Sequence, residues 1–303
     1  KDLKLASVYE APIVDGDVIY LAEYDGGVFA LKRSDGTVVW SVARGKLTGS
    51  IVGGPVLAGD RLVMGTTDGY LYALSKQDGG PASGWTSKGV KVTGSGVWAR
   101  PVVSGDTVIV AGMNGHVYGY KLADGSLAWE SGYHAGGAIA DLELINESTL
   151  FVPSLDGSVQ LLKPSDGQAM GQAFKAGDWV WTSAAVGDGV LYFGDFAGHL
   201  YALDITTMQP RWTYDAGAQI KAAPVIVGDV LVVADRDAVV HFLDTKNNGA
   251  LLSKVPLVDA GTVRADLTVD SGRALIATTK GRLYTADPKT RAVNQIAVAE
   301  AGR

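Results

Sequence analysis

Cysteine is absent from all 303 residues, which removes disulfides, thiolate metal sites and cysteine nucleophiles together. Charge is scarce as well. Asp, Glu, Lys and Arg make up 19% of the chain, and the net charge is −6 with acids and bases interspersed. Such a chain offers no basic face for a phosphate backbone or an anionic membrane surface, so nucleic acid is not expected as a partner. Apolar runs fall well short of the roughly 18–20 residues that span a bilayer as a helix, and no stretch carries a convincing helical period. No G-x-S-x-G elbow, Walker loop or H-E-x-x-H pattern occurs. Lys1 stands where an initiator Met would be and opens no signal peptide. Further sequence, including any export signal or lipid anchor, is therefore expected upstream.

What the chain has in quantity is glycine and a repeated phrase. It carries 40 glycines and 47% apolar residues, the mark of a large core interrupted by many tight turns. The phrase "DGGVFALKRSDGTVVW" (25–40) returns as "DGYLYALSKQDG", "NGHVYGYKLADGSLAW", "DGSVQLLKPSDG" and "AGHLYALDITTMQPRW". The turn signals that open each copy are Asp25-Gly26, Asp68-Gly69, Asn114-Gly115, Asp156-Gly157, Ala197-Gly198, Asp237-Ala238 and Lys280-Gly281. Their spacings are 43, 46, 42, 41, 40 and 43 residues. A period of about 40–50 residues belongs to propeller blades.

Each copy reads as four strands. A short β run closes on Gly-Asp, as in "APIVDGD". A β-branched run such as "VIYLAEY" follows, then the Asx-Gly pair, read as a two-residue hairpin. A strand of the type "YLYALSK" comes next. After a second turn (Asp35-Gly36, Asp78-Gly79, Asp124-Gly125, Asp166-Gly167), a fourth strand often ends in Trp: Trp40, Trp85, Trp129 and Trp212. The expected fold is an all-β propeller of seven blades, each of four antiparallel strands. The alternative is an eight-bladed ring with one blade missing from this chain. The blades fall at about 8–49, 50–92, 93–137, 138–178, 179–219, 220–260 and 261–303, within one domain spanning 1–303. The "Leu-Tyr-Ala-Leu" core of the third strand should send alternate side chains to opposite faces, and each Trp should wedge against the next blade. "AVNQIAVA" reads as the last fourth strand, and Leu3, Leu5 and Val8 are expected to cover the seam.

The unit PxVxxGDxxxxxxxDGxLYALxxxDGxxxW resembles the PQQ-type repeat of the quinoprotein alcohol dehydrogenase-like superfamily. That repeat also builds the non-enzymatic propeller lipoprotein of the outer-membrane barrel-assembly machinery, the character this chain matches best. Blades four, six and seven lose the Trp, and blades six and seven lose the Asx-Gly turn. In the dehydrogenases the resemblance implies a cysteine pair beside the quinone and calcium held by Glu, Asn and Asp. This chain lacks the cysteines and the insertions that complete such sites. PQQ and calcium are therefore not supported, no cofactor is expected, and no catalytic or metal-ligating residue is assigned.

The four histidines, His116, His134, His199 and His241, read as surface or turn residues. His116 and His199 sit at equivalent places on different blades, which spreads them apart instead of converging them on one ion. "DTKNNG" (244–249) lacks the alternating carboxylates of a calcium loop and sits where a turn belongs.

A binding site on a propeller is expected where the chain enters the innermost strands. Three positions before Pro12 and its equivalents lie Tyr9, Val52, Trp98, Ala140, Trp181, Lys221 and Arg264; one position before it lie Arg100 and Asp266, among others. These positions change from blade to blade while the framework repeats. The candidate channel-rim residues are Tyr9, Glu10, Trp98, Arg100, Asp141, Trp181, Lys221 and Arg264. Aromatics with Arg are the types that dominate protein-binding hot spots; the competing reading has them plugging the channel or filling blade interfaces. The function expected is a non-catalytic protein-interaction scaffold. Its partners are proteins of unknown identity, and a membrane is met only through an anchor upstream of residue 1. The resemblance implies an exported chain, periplasmic or at the cell surface and lipid-anchored. The alternative function is a propeller with a quinone, sugar or cation site at the channel mouth.

Overall fold

The computed structural model describes residues 5–92 and 94–296, and in them the repeat folds as seven sheets of four antiparallel strands with no helix. Blade 1 comprises Ile13–Asp15, Val18–Ala22, Val28–Lys32 and Val38–Val42; blade 2 comprises Val56–Ala58, Arg61–Gly65, Tyr70–Ser75 and Val90–Lys91. Blade 3 comprises Val102–Ser104, Thr107–Ala111, His116–Lys121 and Tyr133–His134; blade 4 comprises Glu143–Asn146, Thr149–Pro153, Ser158–Leu162 and Ala169–Lys175. Blade 5 comprises Ala185–Gly187, Val190–Gly194, His199–Asp204 and Pro210–Asp215; blade 6 comprises Val225–Val227, Val230–Ala234, Val239–Asp244 and Ala250–Pro256. Blade 7 comprises Thr268–Asp270, Arg273–Ala277, Leu283–Ala286 and Val293–Ile296. In every sheet, strands adjacent in sequence are adjacent in space. This is the architecture of a seven-bladed all-β propeller. The chain forms two compact units: residues up to Ser154 with Leu161–Met170, and Leu155–Gln160 with the chain from Gly171 onward.

Strand alternation explains why one blade cannot stand alone. Leu62, Met64, Tyr72 and Leu74 point to one face of blade 2 and pack with Tyr20, Ala22, Val28 and Ala30 of blade 1. Their neighbours Val63, Leu71 and Ala73 point to the other face and pack with Val108, Val110 and Tyr120 of blade 3. Each core thus lies between two successive sheets, as the period-2 pattern requires.

The recurrent Trp and the second Asp-Gly turn prove to be two halves of one joint. Trp40 donates its indole N–H to the Lys76 carbonyl of blade 2 at 2.9 Å, and its ring covers Gly79. Trp85 repeats this on Leu122 O and Gly125, and Trp129 on Pro164 O and Gly167. The Trp212 ring covers Gly249 of blade 6. The glycine needs φ near +70° and leaves no room for a Cβ, which at Gly79 would sit 2.5 Å from Trp40 Cε3. After the Trp-less blades 4 and 6 the same turn position holds Met208 (φ 55°) and Arg291 (φ 60°). At these two turns the Trp and the Gly are both missing.

Several expectations need correction. None of the four tryptophans ends a strand: Trp40 and Trp212 lie within Val38–Val42 and Pro210–Asp215, and Trp85 and Trp129 precede the short outer strands Val90–Lys91 and Tyr133–His134. The first Asx-Gly turn is a three-residue loop rather than a two-residue hairpin. Thr66 N–H bonds to Tyr70 O and Gly69 N–H returns to Thr66 O, so glycine takes the positive-φ place at the third loop position. Leu5 and Val8 are exposed, because Tyr24 N–H bonded to Ser7 O and Ala6 N–H bonded to the Glu23 carboxylate dock their segment edge-on. Leu3, and residues 297–299 of the last strand reading, lie outside the described residues. His241 is fully buried: Nε2 lies 2.9 Å from Asp235 and Nδ1 lies 3.0 Å from the Tyr214 hydroxyl of blade 5.

Candidate functional site

The loops entering the innermost strands are built on a two-tier pattern. In six blades the residue before the Asx-Gly-type pair donates its N–H to the carbonyl of the entry loop: Tyr24 to Ser7, Thr67 to Ser50, Met113 to Gly96, Phe196 to Trp179, Arg236 to Gln219 and Thr279 to Thr262, all at 2.8–3.0 Å. In these six blades the first turn therefore delivers one extra side chain beside its own entry loop.

In the first unit, three entry loops interleave. Gly53 and Gly54 have no space for a side chain: a Cβ would lie 2.3 Å from Arg100 N or 2.8 Å from Glu10 Cβ. Across this gap Arg100 reaches Glu10 Oε1 at 3.1 Å and donates to Ala11 O and Gly53 O, each at 3.4 Å. Arg100 and Glu10 are thus drawn together as a clasp over blade 2, and Arg100 is not a free recognition cation. Tyr9 remains 66% exposed and packs on Tyr24, with ring centroids 5.0 Å apart. Trp98 is 37% exposed. Asp141 is half-buried and accepts the Leu142 N–H at 2.8 Å.

In the second unit the predicted Trp181, Lys221 and Arg264 come together around residues the sequence reading passed over. Phe196 stacks on Trp181 with centroids 6.0 Å apart at 19°, and Trp179, 49% exposed, closes on the same ring at 5.9 Å. Lys221 Nζ lies over the Trp181 ring, 4.5 Å from its centroid. Burial holds the Lys221 pKa below the usual ammonium value, and repulsion from Arg264 and Arg236 adds to this, against the opposing pull of Asp266. Arg264 is exposed, and Asp266 is engaged by the Ala223 N–H at 2.7 Å. The result is an aromatic rack capped by three like charges and one committed carboxylate, in a chain whose net charge is negative. Such a surface suits apolar contact beside acidic groups.

Phe196 and Arg236 were legible in principle. They occupy the position of the first turn that varies most among blades: Tyr24, Thr67, Met113, Leu155, Phe196, Arg236 and Thr279. A cleft of about 370 Å³ lies elsewhere, beside Tyr20, Trp40 and Lys76. Among the described residues no group of three or more His, Asp or Glu is placed to hold a metal ion.

The family model described as "Outer membrane protein assembly factor BamB" matches residues 3–83, 81–183 and 155–299. The chain belongs to this family of PQQ-type repeat propellers. A curated relative, outer membrane protein assembly factor BamB of Legionella pneumophila (strain Paris), is 26% identical over 173 residues. That alignment takes in 54% of the chain and 44% of the relative, so less than half of the relative's length is spanned. Among solved structures, BamB from Moraxella catarrhalis superposes with a TM-score of 0.74 at 19% identity, covering 92% of this chain and 82% of that one. The computationally designed Ika8 protein gives 0.80 at 16% identity (97% and 87%), and the WD40 propeller domain of Doa1 gives 0.63 at 18% (92% and 91%). At these identities the structural likeness shows the propeller fold.

Proposed function

We propose that the chain is a non-catalytic propeller scaffold that binds a protein partner through its entry-loop surface. The observation that carries this reading is the Trp179–Phe196–Trp181–Lys221 stack. Trp40, Trp85, Trp129 and Trp212 are committed to joints between blades. Trp179 and Trp181 instead stand on a loop with a half-open ring and a desolvated cation, the residue types and setting of a binding hot spot. Family membership supports a role in outer-membrane protein assembly, and with it a periplasmic, membrane-associated location and protein partners from that process.

The test is site-specific photo-crosslinking from position 179 in the native envelope, with the crosslinked protein identified by mass spectrometry. A Trp179→Ala/Phe196→Ala variant with an unchanged melting temperature should then lose capture of that protein by more than tenfold. Undiminished capture by the folded variant would refute the reading. Saturable binding of a quinone, sugar or cation at the same loops would favour a ligand-binding propeller instead.

A further inference from the structure

We propose that His116 and His134 form a two-imidazole site for a divalent late first-row transition-metal ion on the outer strands of blade 3. The inference stands apart from the scaffold reading and uses neither the aromatic rack nor the entry loops.

The two histidines are direct cross-strand partners, with His116 on the third strand and His134 on the fourth. Their ring centroids lie 4.2 Å apart with planes at 59°. Two imidazoles on one ion, with metal–nitrogen bonds of about 2.0–2.1 Å and an angle near 90–110°, place their centroids about 4.5–5.2 Å apart. The observed pair is within about an ångström of that arrangement, a distance that side-chain rotation can supply.

His116 is oriented for the task. Its ring lies parallel to Tyr118, at 5.7 Å and 6°, which fixes the plane. Its Nδ1 faces the Asn114 carbonyl at 3.3 Å. A carbonyl only accepts, so this contact places the proton on Nδ1 and leaves the Nε2 lone pair for a ligand, the usual outer-shell arrangement of metal-bound histidine. His134 is exposed. No third His, Asp or Glu joins the pair among the described residues, so water would complete the coordination. Imidazole donors suit copper, nickel and zinc, with Cu²⁺ bound most tightly.

His116 and His199 share a blade position, which sets them on different blades. The pairing that matters is instead between strands of one blade, joined by the Asp124-Gly125 turn and the Trp129 detour.

The experiment is titration of the purified, tag-free chain with Cu²⁺, followed by calorimetry and electron paramagnetic resonance. The wild type should bind one ion with two nitrogen donors in the spectrum. His134→Gln, at an exposed position, and His116→Gln should each leave one donor and weaken binding about 100-fold, the loss expected when a chelate becomes a single contact. Unchanged circular dichroism shows that the variants fold. Absence of binding by the wild type, a spectrum without two nitrogens, or unaltered affinity in His134→Gln would each overturn the site.

Discussion

Gly79→Ala and Gly36→Ala form a matched pair that isolates the joint between blades. Both glycines occupy the second turn of a blade, with φ of +73° and +70°. A Cβ at Gly36 meets nothing within 4 Å, whereas at Gly79 it would lie 2.5, 2.9 and 3.0 Å from three carbons of the Trp40 ring. The backbone penalty for alanine at positive φ is about 1–2 kcal/mol and is common to both. Ordinary carbon contacts are about 3.5–4.0 Å, so the ring at Gly79 must retreat by about 1 Å. Its indole N–H, held by Lys76 O at 2.9 Å, opposes that movement. Overpacking of this kind costs about 1–3 kcal/mol. Gly36→Ala should therefore lose about 1–2 kcal/mol and Gly79→Ala about 2–5 kcal/mol in urea denaturation followed by far-ultraviolet circular dichroism. In a Trp40→Ala background the excess at Gly79 should vanish, giving a coupling of about 1–3 kcal/mol. Equal losses at the two glycines, or an excess that survives removal of Trp40, would refute the reasoning.

Met208→Gly should destabilise the chain despite relieving a positive φ: Met208 is 3% exposed, and its lost burial of about 2–3 kcal/mol exceeds the strain released. Arg44→Ala should lower the midpoint of denaturant titration. It strips the fully buried Glu23 carboxylate of a bidentate partner at 2.8 Å, although Arg44 itself is half-exposed and water can partly replace it. Arg44 and its hydrogen bonds hold the Glu23 carboxyl below the usual range. The folded-state value thus lies under the unfolded one, and the pair's contribution is complete above about pH 4.3 and fades as pH falls through the depressed value. The stability deficit of Glu23→Gln should accordingly shrink on acidification; a deficit independent of pH would contradict this. Lys221→Met should leave the melting temperature within about 2 °C or raise it, because it removes a half-buried cation repelled by Arg264 and Arg236. It should also weaken capture of the partner and flatten the salt dependence of that capture.

The repeat was legible because a blade is a local object. The alternation Leu71-Tyr72-Ala73-Leu74 assigns each side chain to a face, and the residues that close its turns are short-range choices. The register of the entry loops was legible for the same reason, since positions counted back from Pro12 recur from copy to copy. Contacts between copies are a different matter. Arg100 is the third blade's residue, yet Glu10 and Ala11 of the first blade decide what it does, 90 and 89 positions away. Phe196 and Arg236 are set beside the entry loops by main-chain bonds to Trp179 and Gln219. His241 carries the sequence mark of a turn histidine, but Tyr214 of the preceding blade completes its burial.

Composition and period alone thus pointed to seven sheets of four antiparallel strands in sequence order, since these follow from side-chain alternation and turn chemistry within about 43 residues. Which rim residues remain available to a partner, which are spent on clasping neighbouring loops, and which histidines face each other required the folded chain. Those roles depend on distances between residues that no local pattern relates.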